Sequence, residues 1–169
     1  MNISKTDSTN FRATMNISQM KNYKHYWQEV ANNFAKRTAD TEATMAILNP
    51  SGFVGFGITF HNKKQDKESL VYVSCTKDSF EKMTNESPSD TADKLTKMFT
   101  VAAEADKKRQ NIISKFKEEI KKLDIKANDF DKFDSLYKQN VNTKKDKVMK
   151  TINKNMDNST DLKGFEIFI

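Results

Sequence analysis

The chain has 169 residues, enough for one domain with its own core. Hydrophobic residues make up 36% and aromatics 10%, with 12 Phe, which excludes a disordered chain; 4 Gly and 2 Pro exclude collagen-like and linker compositions. A single Cys excludes an internal disulfide framework and a multi-Cys zinc site, while a formal charge of +6 leaves nucleic acid or an anionic surface open as a partner.

The first eight residues read as frayed. Residues 11–17 alternate, with Phe11, Ala13, Met15 and Ile17 on one side, and predict a half-buried strand. Ser18 is placed to cap a helix whose stripe is Met20, Tyr23, Trp27, Val30 and Phe34, at spacings of three and four. Three apolar strands are expected next, at 43–48, 53–60 and 70–75. They are separated by the turn Asn49-Pro50-Ser51-Gly52 and by a polar loop at 61–68. In the third strand, Leu70 and Tyr72 lie opposite Val71, Val73 and Cys75. Apolar residues on both faces predict a strand covered on both sides.

A short helix is expected at 78–83. Ser87-Pro88-Ser89-Asp90 then combines an N-cap, a proline at the first helical position and an acid at the third. The helix it starts carries a stripe from Leu95 to Leu123. Unbroken, it would be about 50 Å long at about 1.5 Å per residue. Its weak point is 106–111, where the stripe lapses. After a break at 124–128, Asn128 or Asp129 can cap a second helix with the stripe Phe130, Phe133, Tyr137, Val141, Val148, Ile152 and Met156. The two helices predict an antiparallel hairpin over 87–157, either packed on the sheet or protruding from it. Residues 165–169 read as a closing strand.

The order β-α-β-β-β-α-α-β gives an α+β fold: one domain over 9–169, with a mixed or antiparallel sheet of about five strands packed by the N-terminal helix. With one strand removed and the helices merged it approaches the split β-α-β-β-α-β arrangement of ferredoxin-like domains.

Little in the chain predicts a reaction centre. Cys75 with His61 or His25 are the candidates for a nucleophile–base pair, but Cys75 ends an apolar strand, where an inert thiol is expected. Two isolated His and no acid cluster at ligand spacing give no metal site, and no cofactor is expected. Gly52-Phe53-Val54-Gly55-Phe56-Gly57 has the wrong glycine order for a phosphate loop.

Residues 54–60 do resemble the RNA-binding strand motif K/R-G-F/Y-G/A-F-V-x-F/Y in their Gly-Phe-Gly core, though Val54 replaces the leading basic residue and Ile58 an aromatic. If Phe56 and Phe60 faced solvent, they could stack bases beside Lys63, Lys64 and Lys67. Against a dedicated phosphate footprint, charge is spread along the chain at +3, 0, +2 and +1 over 1–40, 41–85, 86–126 and 127–169. Only three of the 29 basic residues are Arg.

The leading expectation is a non-enzymatic module that binds another protein, or itself, through the helical hairpin and the sheet surface, with Met98, Phe99, Ile112, Phe116 and Met149 in contact. The alternative is a binder of single-stranded nucleic acid. The N-terminus lacks the basic start and apolar run of a secretory signal, no segment approaches a membrane span, and the lone Cys suits a reducing compartment, so a cytoplasmic location is expected.

Overall fold

A computed structural model describes residues 12–20, 23–48, 54–62, 67–123 and 129–169. The expected frayed start, the turn at 49–52, the loop residues 63–66 and the break at 124–128 lie outside the described residues. Five strands form one sheet in sequential order: β1 (Thr14–Asn16), β2 (Ala43–Leu48), β3 (Val54–Asn62), β4 (Lys67–Cys75) and β5 (Phe165–Phe168). β1 and β2 are parallel and joined by helix α1 (Lys24–Arg37); every other pair is antiparallel. The fold is therefore α+β, as read from the sequence. It is not the split ferredoxin-like arrangement, because the two parallel strands are direct neighbours with no strand inserted between them.

The alternation of each strand sends one set of side chains to a single buried face. Met45, Ile47, Phe56, Ile58, Val71, Val73, Cys75, Phe165 and Ile167 line it. Trp27, Val30 and Phe34 of α1 pack there, at spacings of three and four. The helix starts later than its stripe suggests. Ser18 does not cap it; its N–H donates to the Asn16 side chain in a local turn. Tyr23 sits at the N-cap position with φ 66° and is 81% exposed, so it is outside the core. Tyr26 takes its place: its hydroxyl donates to the Glu86 carbonyl and pairs with Thr91 Oγ1 at 2.7 Å.

Helix α2 (Lys77–Thr84) is capped by Thr76, whose Oγ1 accepts from the Ser79 N–H. Helix α3 (Pro88–Lys122) begins as its start signal dictates, with Ser87 Oγ accepting the Asp90 N–H and Pro88 at the first position. It is continuous through 106–111. There the apolar stripe gives way to a buried polar lock: Asp106 accepts from Ser69 Oγ at 2.8 Å and from Arg109 Nη2 at 2.6 Å, and Arg109 Nη1 donates to the Leu70 carbonyl. The lapse in hydrophobicity is where α3 is fastened to the start of β4.

Helix α4 (Phe130–Tyr137), a π-turn (Lys138–Asn142) and helix α5 (Thr143–Asp157) form one helical run. Asp129 precedes it but makes no side-chain cap bond. Phe116 of α3 touches Phe133 and Tyr137 at ring-centroid distances of 5.9 and 5.8 Å. Nearer the sheet, Lys97 of α3 pairs with Asp161 beyond the end of α5. Asn153 of α5 closes the outer edge of β5. Its amide donates to the Ile167 carbonyl, and its Oδ1 accepts the Ile167 N–H at 2.9 Å.

Candidate functional site

The nucleophile candidate is dispersed by the fold. Register pairs Cys75 with Val54 and Glu68 with His61, seven residues apart along β4, or about 23 Å. Cys75 also points to the buried face and His61 to the other. Burial pushes the Cys75 thiol up to about 12, so it stays protonated and inert near neutral pH. His25 lies on the exposed side of α1 beside Glu29. Among the described residues no group of three His, Cys, Asp or Glu could hold a metal ion, and no helix is long and apolar enough to cross a membrane.

A cleft of about 760 Å3 lies between α2, the start of α3 and residues 160–165. Two of the acids that line it are neutralised, Glu86 by Lys94 and Asp161 by Lys97. The hydrogen bond and charge of Lys97 hold the Asp161 carboxyl below its usual value, and Asp161 raises Lys97 in return. The Lys97–Asp161 pair ties the loop at 158–164 to α3.

The distinctive surface is the second face of the sheet. All the buried strand side chains point to the helices, and no described element covers the other side. There Thr44, Ala46 and Leu48 of β2, Gly55, Gly57 and Thr59 of β3, Leu70, Tyr72 and Ser74 of β4, and Glu166 and Phe168 of β5 come together by register. Glycine shapes this face. A Cβ on Gly55 would lie 2.1 Å from Tyr72 Oη, so the Tyr72 ring lies flat across β3 where a side chain would stand. Leu48 and Leu70 come together beside Gly57, at 3.6 and 4.0 Å from where its Cβ would be, which is ordinary contact distance. Tyr72 continues to Phe168, with centroids 6.4 Å apart. The result is an apolar row across β2 to β5, in which Leu70 is 59% and Phe168 49% exposed.

Among the paired strand positions of this face, charge is sparse and acidic. Glu68 and Glu166 are exposed, and His61 bridges three strands, with Nδ1 2.9 Å from Glu68 Oε1 and Nε2 3.2 Å from Thr44 Oγ1. By contrast, the segment 88–157 holds 17 basic and 12 acidic residues, so it carries +5 of the net +6. On α5, Lys147, Lys150 and Lys154 are all exposed.

The residues expected to bind occupy other places. Phe56 is fully buried against Phe80 and Phe165, and Phe60 packs on Phe99, because even-numbered β3 positions face the helices. The expected base-stacking pair is thereby corrected to core. Lys63 and Lys64 lie outside the described residues; Lys67 begins β4. Met98, Phe99, Phe116 and Met149 are buried by this chain's own packing, and only Ile112 of that set is partly exposed. The row Leu48, Leu70, Tyr72 and Phe168 was missed as a surface. Its signal was present: the double-sided apolar pattern of 70–75 predicts cover on both faces, whereas the described elements cover one. Searches against protein-family models, curated proteins and solved structures match nothing to this chain.

Proposed function

We propose that the chain is a non-enzymatic protein-binding module, of the adaptor, inhibitor or assembly-factor kind, that engages its partner through the uncovered face of the sheet. One observation carries the reading. A sheet with one face packed by helices holds a continuous apolar row on the other, over a glycine floor that lets side chains lie flat. Antiparallel sheets ordinarily solvate their second face with polar alternation. Leucine and aromatic side chains at half exposure are instead the composition of an interface core.

The test is capture with the full chain and with a Leu70→Asp/Phe168→Asp variant. Both side chains already meet water, so the variant keeps its far-ultraviolet ellipticity and melting temperature. Proteins cross-linked to the native chain and lost with the variant are the expected result. An unchanged cross-linked set from a folded variant overturns the reading.

A further inference from the structure

We infer that the uncovered sheet face receives an amphipathic helix of a partner protein, one with basic residues beside its apolar stripe; this rests on the protein-binding reading above and specifies its occupant. Three ways of covering a sheet compete: an added strand, a second sheet and a helix. The first is obstructed at one end, where Asn153 already takes both outward backbone groups of Ile167 on β5, and offers only the three residues of β1 at the other. A second copy of this chain packed face to face would oppose like charges. Among the described side chains of this face, the carboxylates Glu68 and Glu166 are met by no Lys or Arg, and only His61 sits beside them.

A helix meets neither obstacle. The apolar row crosses four strands, about 14 Å at about 4.8 Å per strand, which a helix covers in about three turns. Three turns present three or four stripe positions, matching Leu48, Leu70, Tyr72 and Phe168 in extent. The same sheet is covered on its other side by helices, α1 among them with Trp27, Val30 and Phe34. Glu68 and Glu166 flank the row and complement lysines or arginines on either side of a partner's stripe.

The probes are two synthetic helical peptides of about 18 residues, each with leucine at a three-four spacing, one with lysine and one with glutamate at the polar positions. Fluorescence anisotropy with the full chain measures binding of each. The lysine peptide is expected to bind at least about tenfold more tightly than the glutamate peptide, although the chain's own +6 charge repels it overall. Leu70→Asp/Phe168→Asp abolishes binding, and Glu68→Lys/Glu166→Lys reverses the preference. Gly55→Ala gives a second check: its Cβ forces the partly exposed Tyr72 ring aside and is expected to weaken binding while the far-ultraviolet ellipticity stays native. Equal binding of both peptides, binding unaffected by these variants, or dimerisation of the native chain through this face in light scattering overturns the helix. If neither peptide binds while cross-linked partners still depend on Leu70 and Phe168, the helix falls and the protein-binding face stands.

Discussion

At the scale of single residues, burial decides what a reactive group does. Cys75 is 3% exposed at the inner end of β4, and desolvation holds its thiol up near 12, against 9.0 in an unfolded chain. The raised value means the fold prefers the protonated thiol. The resulting stability is fully present below about pH 9 and is lost as pH rises toward 12, because the unfolded chain ionises first. Cys75→Ala is expected to lower stability at pH 7 through the small cavity it leaves, and to flatten the fall in denaturation midpoint between pH 9 and 11. Parallel pH profiles for the two proteins would refute it. The tyrosines carry a related lesson. Spacing alone puts Tyr23 in the helix stripe and Tyr26 outside it. The observed helix begins at Lys24, so Tyr23 is pushed into the left-handed region and into water, while Tyr26 reaches Thr91 and the Glu86 carbonyl. Period fixes which positions share a face only once the first turn is known, and Ser18 lacks the proline and the acid that follow Ser87.

At the scale of elements, most of the architecture was legible. β2, α2, α3 and β5 form close to where alternation, the three-four stripe and the Ser87-Pro88 start signal put them. The interruption at 106–111 was legible as an anomaly but not as its cause, because Asp106 and Arg109 are explained only by Ser69 and the Leu70 carbonyl of a strand 37 residues away. This lock makes a sharp prediction. Asp106→Leu or Arg109→Leu alone leaves a charge buried without its partner and is expected to cost about 3 kcal/mol. The double replacement extends the apolar stripe and is expected to recover most of that loss in urea denaturation. Additive losses would show that the two charges act independently. Asn153 is a second contact that sequence could not show, since an Asn on a helix surface carries no sign that it completes a sheet edge. Asn153→Leu is expected to cost about 1–3 kcal/mol by leaving the Ile167 N–H and carbonyl unpaired. It also frees the β5 edge, so concentration-dependent association should appear by sedimentation.

At the scale of the whole molecule, stability and interaction divide along its length. α3 rises about 1.5 Å per residue over 35 residues, about 52 Å, whereas the longest strands of nine residues reach about 30 Å. The helix therefore outruns the sheet. Beyond Asp106, its one buried residue is Phe116, held by Phe133 and Tyr137 rather than by any strand. Two packing units share one helix, and the outer one rests on a three-ring cluster whose neighbour Phe130 is exposed. Phe116→Ala removes the centre of that cluster, a change worth about 3–5 kcal/mol for a buried Phe. Opening free energies vary across a fold with the number of buried contacts each part makes. The loss is therefore expected in the outer helices alone: amides between 110 and 140 exchange faster in Phe116→Ala, while those of β2, β3 and β4 keep their protection. Equal acceleration across the sheet would show instead that α3 transmits the loss and that the molecule opens as one unit. The distinction bears on function, because a locally opening outer segment leaves the uncovered sheet face and its apolar row intact, and Phe116→Ala should then capture partners as the native chain does.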